Sequence, residues 1–285
     1  MNAHLPPPRR PELDIAVERR DAASRLVARY VAYPFHLTRP FALDPARPEV
    51  ATLYIQSSSG GFYAGEDLTL RVRVGRGAAL HLTTQASTIV HGDRGQPARM
   101  RLLLEVEPGG FLAYTPDPQI LFPGAACETR LEIRLQGDAE ALLTEGLLLH
   151  DPARRTGGQE EARASGAPMA YSARTDIHRD GCLVFSDRQR IAGPDLARAD
   201  GPLHGHRVAA SALWLGQVSS ATLQSWEDAA TATGSLAGAS LLPGGCGAGL
   251  RLLATDGAMH QRAQEAVFAH VFTERFGIAP TRRRK

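Results

Sequence analysis

Leu68–Val74 reads LTLRVRV, and its strict alternation decides the class of fold. In an extended chain successive side chains point to opposite faces. Leu68, Leu70, Val72 and Val74 therefore share one face, with Thr69, Arg71 and Arg73 on the other. Similar runs lie on both sides: TLYIQ at 52–56, ALHLTTQ at 79–85, RMRLLLEVE at 99–107, FLAY at 111–114 and ETRLEIRL at 128–135. Glycine-bearing corners separate them, at Gly60-Gly61, Gly75-Arg76-Gly77, Pro108-Gly109-Gly110 and Pro123-Gly124. Strand, corner, strand, at intervals of roughly ten to fifteen residues, marks a mainly β domain. No helical stretch lies between these runs, which argues against a parallel sheet crossed by helices. A coil of strands, a sandwich and an irregular barrel all fit the pattern, and no fixed-length repeat is present.

Working outward, residues 1–20 read as a disordered Pro/Arg-rich leader and 21–277 as one β-rich domain. From Ser24 onward Leu26, Ala28, Tyr30 and Ala32 fall on one face, until Pro34 interrupts the run. Asp151–Pro168 is polar and rich in breakers, as an exposed loop would be. Further strands are expected at Tyr171–Ile177, Leu183–Phe185, Val208–Leu215 and Gly249–Ala254. The helical part falls at about 220–276. Ser220–Thr233 has a helical pattern, and Asp256–Phe276 a stronger one with Ala263, Ala266, Val267, Val271 and Phe272 on one stripe. Asp256 suits an N-cap and Gly277 the residue just past the C-terminus. Residues 278–285 form a basic tail.

Composition narrows the function. The 285 residues carry 32 Lys+Arg against 30 Asp+Glu, a formal net charge of +2, which sets no nucleic-acid partner. No run of about 18 apolar residues is present to cross a membrane. The start lacks an apolar signal core, so a cytoplasmic location is expected. Cys127, Cys182 and Cys246 are scattered and odd in number, unlike a disulfide framework or a structural zinc site. There is no GxSxG elbow, no phosphate-binding glycine loop followed by a helix, and no HExxH. Gly244–Gly249 leads into a strand and reads as a hairpin loop. His204 and His206 would reach one ion if they lay on a strand, which leaves a metal-dependent enzyme as a rival reading. Carboxylates beside turns, Glu66, Asp67, Asp117 and Glu160-Glu161, would offer a cation weak, exchangeable oxygen ligands. No catalytic constellation emerges, and that favours binding or scaffolding.

Four segments in order resemble the urease accessory protein UreD (UreH) family. SSSGGFYAGEDL at 57–68 resembles its serine/glycine turn, containing Gly60 and Gly61, with Glu66 where an aspartate is usual. GAALHLTTQAST at 77–88 is similar to its Thr-Thr-Gln-Ala strand, with Thr84 and Ala86. FLAYTPDPQILFPGA at 111–125 resembles its Pro-Asp-Pro segment, with Pro116 and Pro118, although Leu121 departs from a common proline. GLRLLATD at 249–256 looks like the strand entering the C-terminal helix. RRTGGQE at 154–160, ending at Glu160, is a looser version of a family Gly-Arg…Gly-Glu stretch.

The resemblance implies a β-helix-like stack of strands with a small helical portion. It further implies a non-enzymatic maturation chaperone that binds apo-urease and a complex of UreF with the GTPase UreG. Such a protein helps deliver nickel to the urease active site, with a transient nickel ion and no tightly bound cofactor. On that basis the nickel path is expected near Glu66, Asp67, Thr83, Gln85 and Asp117. Thr83 and Gln85 would share one strand face. A β-rich interaction module of some other assembly is the remaining alternative.

Overall fold

A computed structural model describes residues 10–92, 96–150, 170–192 and 200–281. The chain winds between two facing sheets. After β5 (Val50–Ser57) in the second sheet, β6 (Asp67–Val74) enters the first, and β7 (Ala79–Thr84) and β8 (Thr88–Val90) return to the second. The same step then repeats through β9 (Ala98–Val106), β10 (Phe111–Tyr114) with β11 (Gln119–Leu121), β12 (Ala126–Leu135), β13 (Glu140–Leu149) and β14 (Ala170–Arg179). Each turn adds one parallel strand to each sheet, which is the stacked, solenoid-like member of the expected set. Parallel pairing without crossover helices is possible because each strand's successor lies in the opposite sheet.

Register explains why alternation was so clear in β6. In-register side chains stack across strands, so Ile15, Val72, Leu104, Ile133 and Ile177 form one apolar row of the first sheet. Facing it, Leu53, Leu82, Tyr114, Leu143 and Leu213 form a row of the second. All ten are buried in the space between the sheets. Antiparallel strands finish the edges. The first sheet ends in β15 (Cys182–Ala192) on one side and, on the other, in β2 (Ala23–Val31) beyond β1 (Leu13–Arg20). The second runs through β16 (Val208–Leu215), β18 (Ala248–Ala254) and β17 (Leu236–Leu241) at one end, with the short β3 (Phe35–Leu37) and β4 (Phe41–Ala42) on β5 at the other.

Two helices cover the outer face of the second sheet. α1 (Ser220–Thr231) and α2 (Gly257–Phe276) lie over β10, β13, β16 and β18, with Trp214, Trp226, Val267, Phe268 and Phe272 filling a second core. Asp256 caps α2 by accepting from the Met259 N–H at 2.8 Å, and Gly277 ends it at φ 75°. Ala263, Val267, Val271 and Phe272 are buried as the stripe requires, while Ala266 is half-buried.

Two expectations need correction. Leu13–Arg20 are not leader: Leu13, Ile15 and Val17 alternate inward and pair in parallel with Leu70, Val72 and Val74. In β2 the single-face reading fails, because a bulge opposite Ala16/Val17 shifts the alternation. Leu26 and Val31, an odd number of residues apart, therefore both pack on the core. In addition, β13, not anticipated from the sequence, has a strand's length and pairing although no alternation marks it. The Asp151–Pro168 loop, residues 1–9 and the tail from 282 lie outside the described residues.

Candidate functional site

The second sheet is interrupted where β10 stops at Tyr114. Pro116 and Pro118 lack the N–H groups that a ladder needs, so the strand ends after Thr115 donates to the Leu82 carbonyl at 2.9 Å. One row further on, β7 and β13 thus have no strand between them. That gap opens a cavity of about 840 Å³ between the sheets. Its floor is apolar, with Leu70, Leu102 and Leu131 from the first sheet, whereas Thr84, Gln119, Thr129 and Glu145 supply oxygen atoms. Its exposed rim carries Gln85 and Ala86 after β7, and Ser57, Ser58 and Gly60 at and after the end of β5, with the buried Gly61 beside them. There His36 Nδ1 meets Gln56 Oε1 at 2.7 Å, and Gln56 donates in turn to Gln85.

The rim is fixed locally. Gly61 has φ +145°, and a Cβ there would lie 2.4 Å from the Ile89 carbonyl oxygen, so only glycine permits the Phe62 N–H to donate to that carbonyl at 2.7 Å. The Asp117 N–H donates to Thr84 Oγ1 at 2.9 Å, tying the Pro-Asp-Pro loop to β7. From the far side of the sheet Gln264 of α2 donates to the Pro116 carbonyl at 2.7 Å and to Thr144 Oγ1 at 3.0 Å. A helix residue thereby holds the loop that shapes the cavity.

Deep in the cavity sits Glu145. In the second sheet it pairs with Ser211, and Ser211 with Arg251, while β15 brings Asp187 and Gln189 across from the first sheet. Gln189 donates to Glu145 at 2.6 Å and Ser211 donates to it at 3.1 Å. Arg251 pairs with Asp187 at 2.6 Å, and its side chain is 52% exposed. Polar groups thus lead from the cavity through Glu145 to the open edge between the sheets. Burial pushes the Glu145 carboxyl up to about 7. The Ser211 and Gln189 hydrogen bonds and the Arg251 charge oppose the rise, and the Asp187 charge adds to it. Burial first, and the Glu145 charge second, raise both the Tyr114 and Tyr171 phenols. Cys127, whose thiol donates to Gln119 at 3.1 Å, is held up at about 12 by burial and is no thiolate ligand at neutral pH.

The five residues expected along a cation path do not all meet here. Gln85 and Asp117 line the cavity. Thr83 does not: its hydroxyl donates to the Thr115 carbonyl at 2.6 Å, and Thr84 is the residue of β7 that faces inward. The shared face expected for Thr83 and Gln85 is lost because β7 ends at Thr84. Glu66 accepts from the Tyr63 N–H at 3.0 Å and closes the turn behind the rim. Asp67 lies on the outer face of β6, paired with Arg101 at 3.0 Å. Of the motif residues, Gly60, Gly61, Thr84, Ala86 and Pro116 line the cavity, Pro118 is buried beside it, and Glu160 lies outside the described residues. His204 and His206 occupy a turn rather than a strand, with His206 Nδ1 3.0 Å from the Leu203 carbonyl. Among the described residues no three His, Cys, Asp or Glu converge as a metal site. Likewise no helix there is long and apolar enough to cross a membrane. Sequence reading missed Glu145 and Gln264. The signal for the first was a lone carboxylate inside the leucine-rich run LLTEGLLL.

Known proteins resemble this chain along nearly its whole length. The family model described as UreD urease accessory protein matches residues 9–285. A urease accessory protein UreD 1 from Methylorubrum populi is 39% identical over 279 residues, covering 97% of this chain and 92% of the relative. A namesake from a Bradyrhizobium species is 40% identical over 276 residues, covering 96% and 94%. Another from Pseudomonas syringae pv. syringae is 33% identical over 294 residues, covering all of both chains.

Proposed function

The chain belongs to the UreD urease accessory protein family, and from that premise we propose that it acts in urease maturation as a non-enzymatic scaffold. In this reading it binds apo-urease together with UreF and the GTPase UreG, in the cytoplasm, and assists delivery of nickel to the urease active site. The observation that carries the delivery role is the cavity that runs from the Gln85–Ala86 rim to Glu145, from which a hydrogen bond to Gln189 continues toward the sheet edge. Its polar lining offers hydroxyl, amide and carboxyl oxygens, which hold a divalent nickel ion weakly and let it go. Gln85 and Asp117 receive the ion near the rim. Glu145, with its carboxyl near neutrality, exchanges a proton for the cation deeper in.

Co-expression of apo-urease with the other accessory proteins, with and without this chain, tests the scaffold role. Equal urease activity in both would reject it. A second arm tests the passage. Ala86→Trp should obstruct the rim, lowering activation while the chain still co-purifies with its partners. Unchanged activation by a folded, partner-bound A86W chain would leave the scaffold standing and remove the cavity from the route.

A further inference from the structure

The outer face of the first sheet carries a row of arginines that no local motif reveals. Arg101 of β9, Arg130 of β12, Arg174 of β14 and Arg188 of β15 are in register on adjacent strands. All four are exposed. Neighbouring strands lie about 4.8 Å apart, so the row spans about 14 Å. Arg101 pairs with Asp67 at 3.0 Å and Arg174 with Asp176 at 2.7 Å. Arg130 and the adjacent Arg190 have no ion pair within 4 Å among the described residues, and Arg188 shares the charge of Asp176 with Arg174. A groove of about 350 Å³ runs between Arg130, Arg174, Arg188 and Arg190, with Glu128 the acidic residue on its wall.

Like charges directly opposite one another on paired strands destabilise a sheet. Asp67 and Asp176 offset part of that repulsion, and the charge left over, greatest at Arg130, is what an external counter-charge would satisfy. A chain of net charge only +2 has no general excess to account for such a row. Acids on the adjoining rows, Glu128 and Glu132, keep the positive strip narrow, unlike the long single-sign footprint of a nucleic-acid binder. A row about 14 Å long is more than a single small anion spans, which disfavours one as the occupant.

We propose that this row docks an acidic helix of a partner protein. A helix rises about 1.5 Å per residue, so carboxylates at i, i+3, i+7 and i+10 stand about 0, 4.5, 10.5 and 15 Å along its axis. That matches four arginines at about 4.8 Å spacing, whereas side chains on one face of a strand recur about every 6.8 Å. The docking deepens the accessory-protein reading by giving one partner contact a place and a chemistry, and it rests on that reading only for the partner being a component of urease maturation.

The probe is a 16-residue alanine-rich helical peptide with glutamates at those four spacings, compared with a peptide of identical composition whose glutamates are scattered round the helix. At low ionic strength the striped peptide should bind about tenfold tighter than the scattered one. The paired substitutions Arg130→Glu and Arg188→Glu should abolish that preference, and Arg130→Lys with Arg188→Lys should keep most of it. Neutral Arg130→Gln with Arg188→Gln serves if charge reversal prevents folding. Equal binding of both peptides, or no change in the reversed or neutral variants, would overturn the proposal. So would tighter binding of duplex DNA or of phosphatidylserine vesicles than of the striped peptide through the same arginines. Urease activation is read in parallel: loss with the reversed variant supports the docking. Full activation by that variant sinks the docking alone, whereas activation without any copy of the chain sinks the accessory function.

Discussion

Replacing Glu145 by glutamine should flatten the pH dependence of folding stability between about pH 5 and 8. The carboxyl of this half-buried residue lies in the cavity between the sheets, and desolvation there pushes it up to about 7, against an ordinary value of 4.5. A folded-state value above the unfolded one means that the native state binds the proton more tightly. The resulting stabilisation is complete below about pH 4.5 and is lost as pH rises through 7, where the native carboxyl also ionises. Each unit of difference is worth about 1.4 kcal/mol, so the wild-type chain should lose about 3 kcal/mol across that window through this group. The glutamine side chain keeps an oxygen for the Ser211 and Gln189 donors and cannot ionise. Urea denaturation of both chains at half-unit steps of pH isolates the effect, because the remaining groups titrate alike in the two. The gap should widen in favour of glutamine up to about pH 7 and then stay constant. Parallel curves from pH 5 to 8 would show that Glu145 is hydrated and ordinary, and would remove the proton-for-cation exchange from the proposed route.

Asp256→Ala removes the cap on α2 and should cost about 1 kcal/mol, read as a lower denaturation midpoint with an unchanged slope. Gly61→Ala drives a Cβ to 2.4 Å from the Ile89 carbonyl oxygen at a φ of +145°. It should destabilise by about 1–3 kcal/mol and speed hydrogen exchange at Phe62, whose N–H depends on that contact. Gln264→Leu leaves the Pro116 carbonyl without its 2.7 Å donor, at a cost of about 1–3 kcal/mol. Because Gln264 holds Pro116 and Thr144 without itself lining the cavity, its loss should impair urease activation in proportion to disorder at Asp117, visible in that residue's amide resonance.

How much of this could be read from sequence depends on what each strand faces. β6 and β12 have one face toward the core and one toward water, so their alternation is plain. β13 packs on the inter-sheet core with one face and on the helices with the other. Its EALLTEGLLL is accordingly a near-continuous apolar run and gives no period-two signal. Leu13, Ile15 and Val17 did alternate, but the Pro/Arg-rich residues before them obscured a strand whose partner, β6, lies more than fifty residues away. The rim of the cavity was legible because turns and proline breaks are local chemistry. Its depth was not, since Glu145, Gln189 and Arg251 come from three distant strands. The arginine row is the extreme case: each member is one ordinary outward residue, and only register makes them a row.

The choice of ligands along the cavity can be tested by spoiling it. Oxygen donors hold nickel loosely, while imidazole and thiolate hold it far more strongly. Here the one thiol in reach, Cys127, is kept protonated by burial and donates its proton to Gln119. Gln119→His would replace that amide with a nitrogen ligand beside the sulfur, and nickel bound to both would pull the thiol proton off. Tighter binding is expressed mainly as slower release. A conduit through this point should therefore become a trap: after dialysis the variant should retain about one nickel per chain and activate urease poorly, with partial recovery in excess nickel. A variant that retains the metal yet activates as well as its parent would mean that the ion travels elsewhere, and the interruption at Pro116–Pro118 would then be a feature of shape alone.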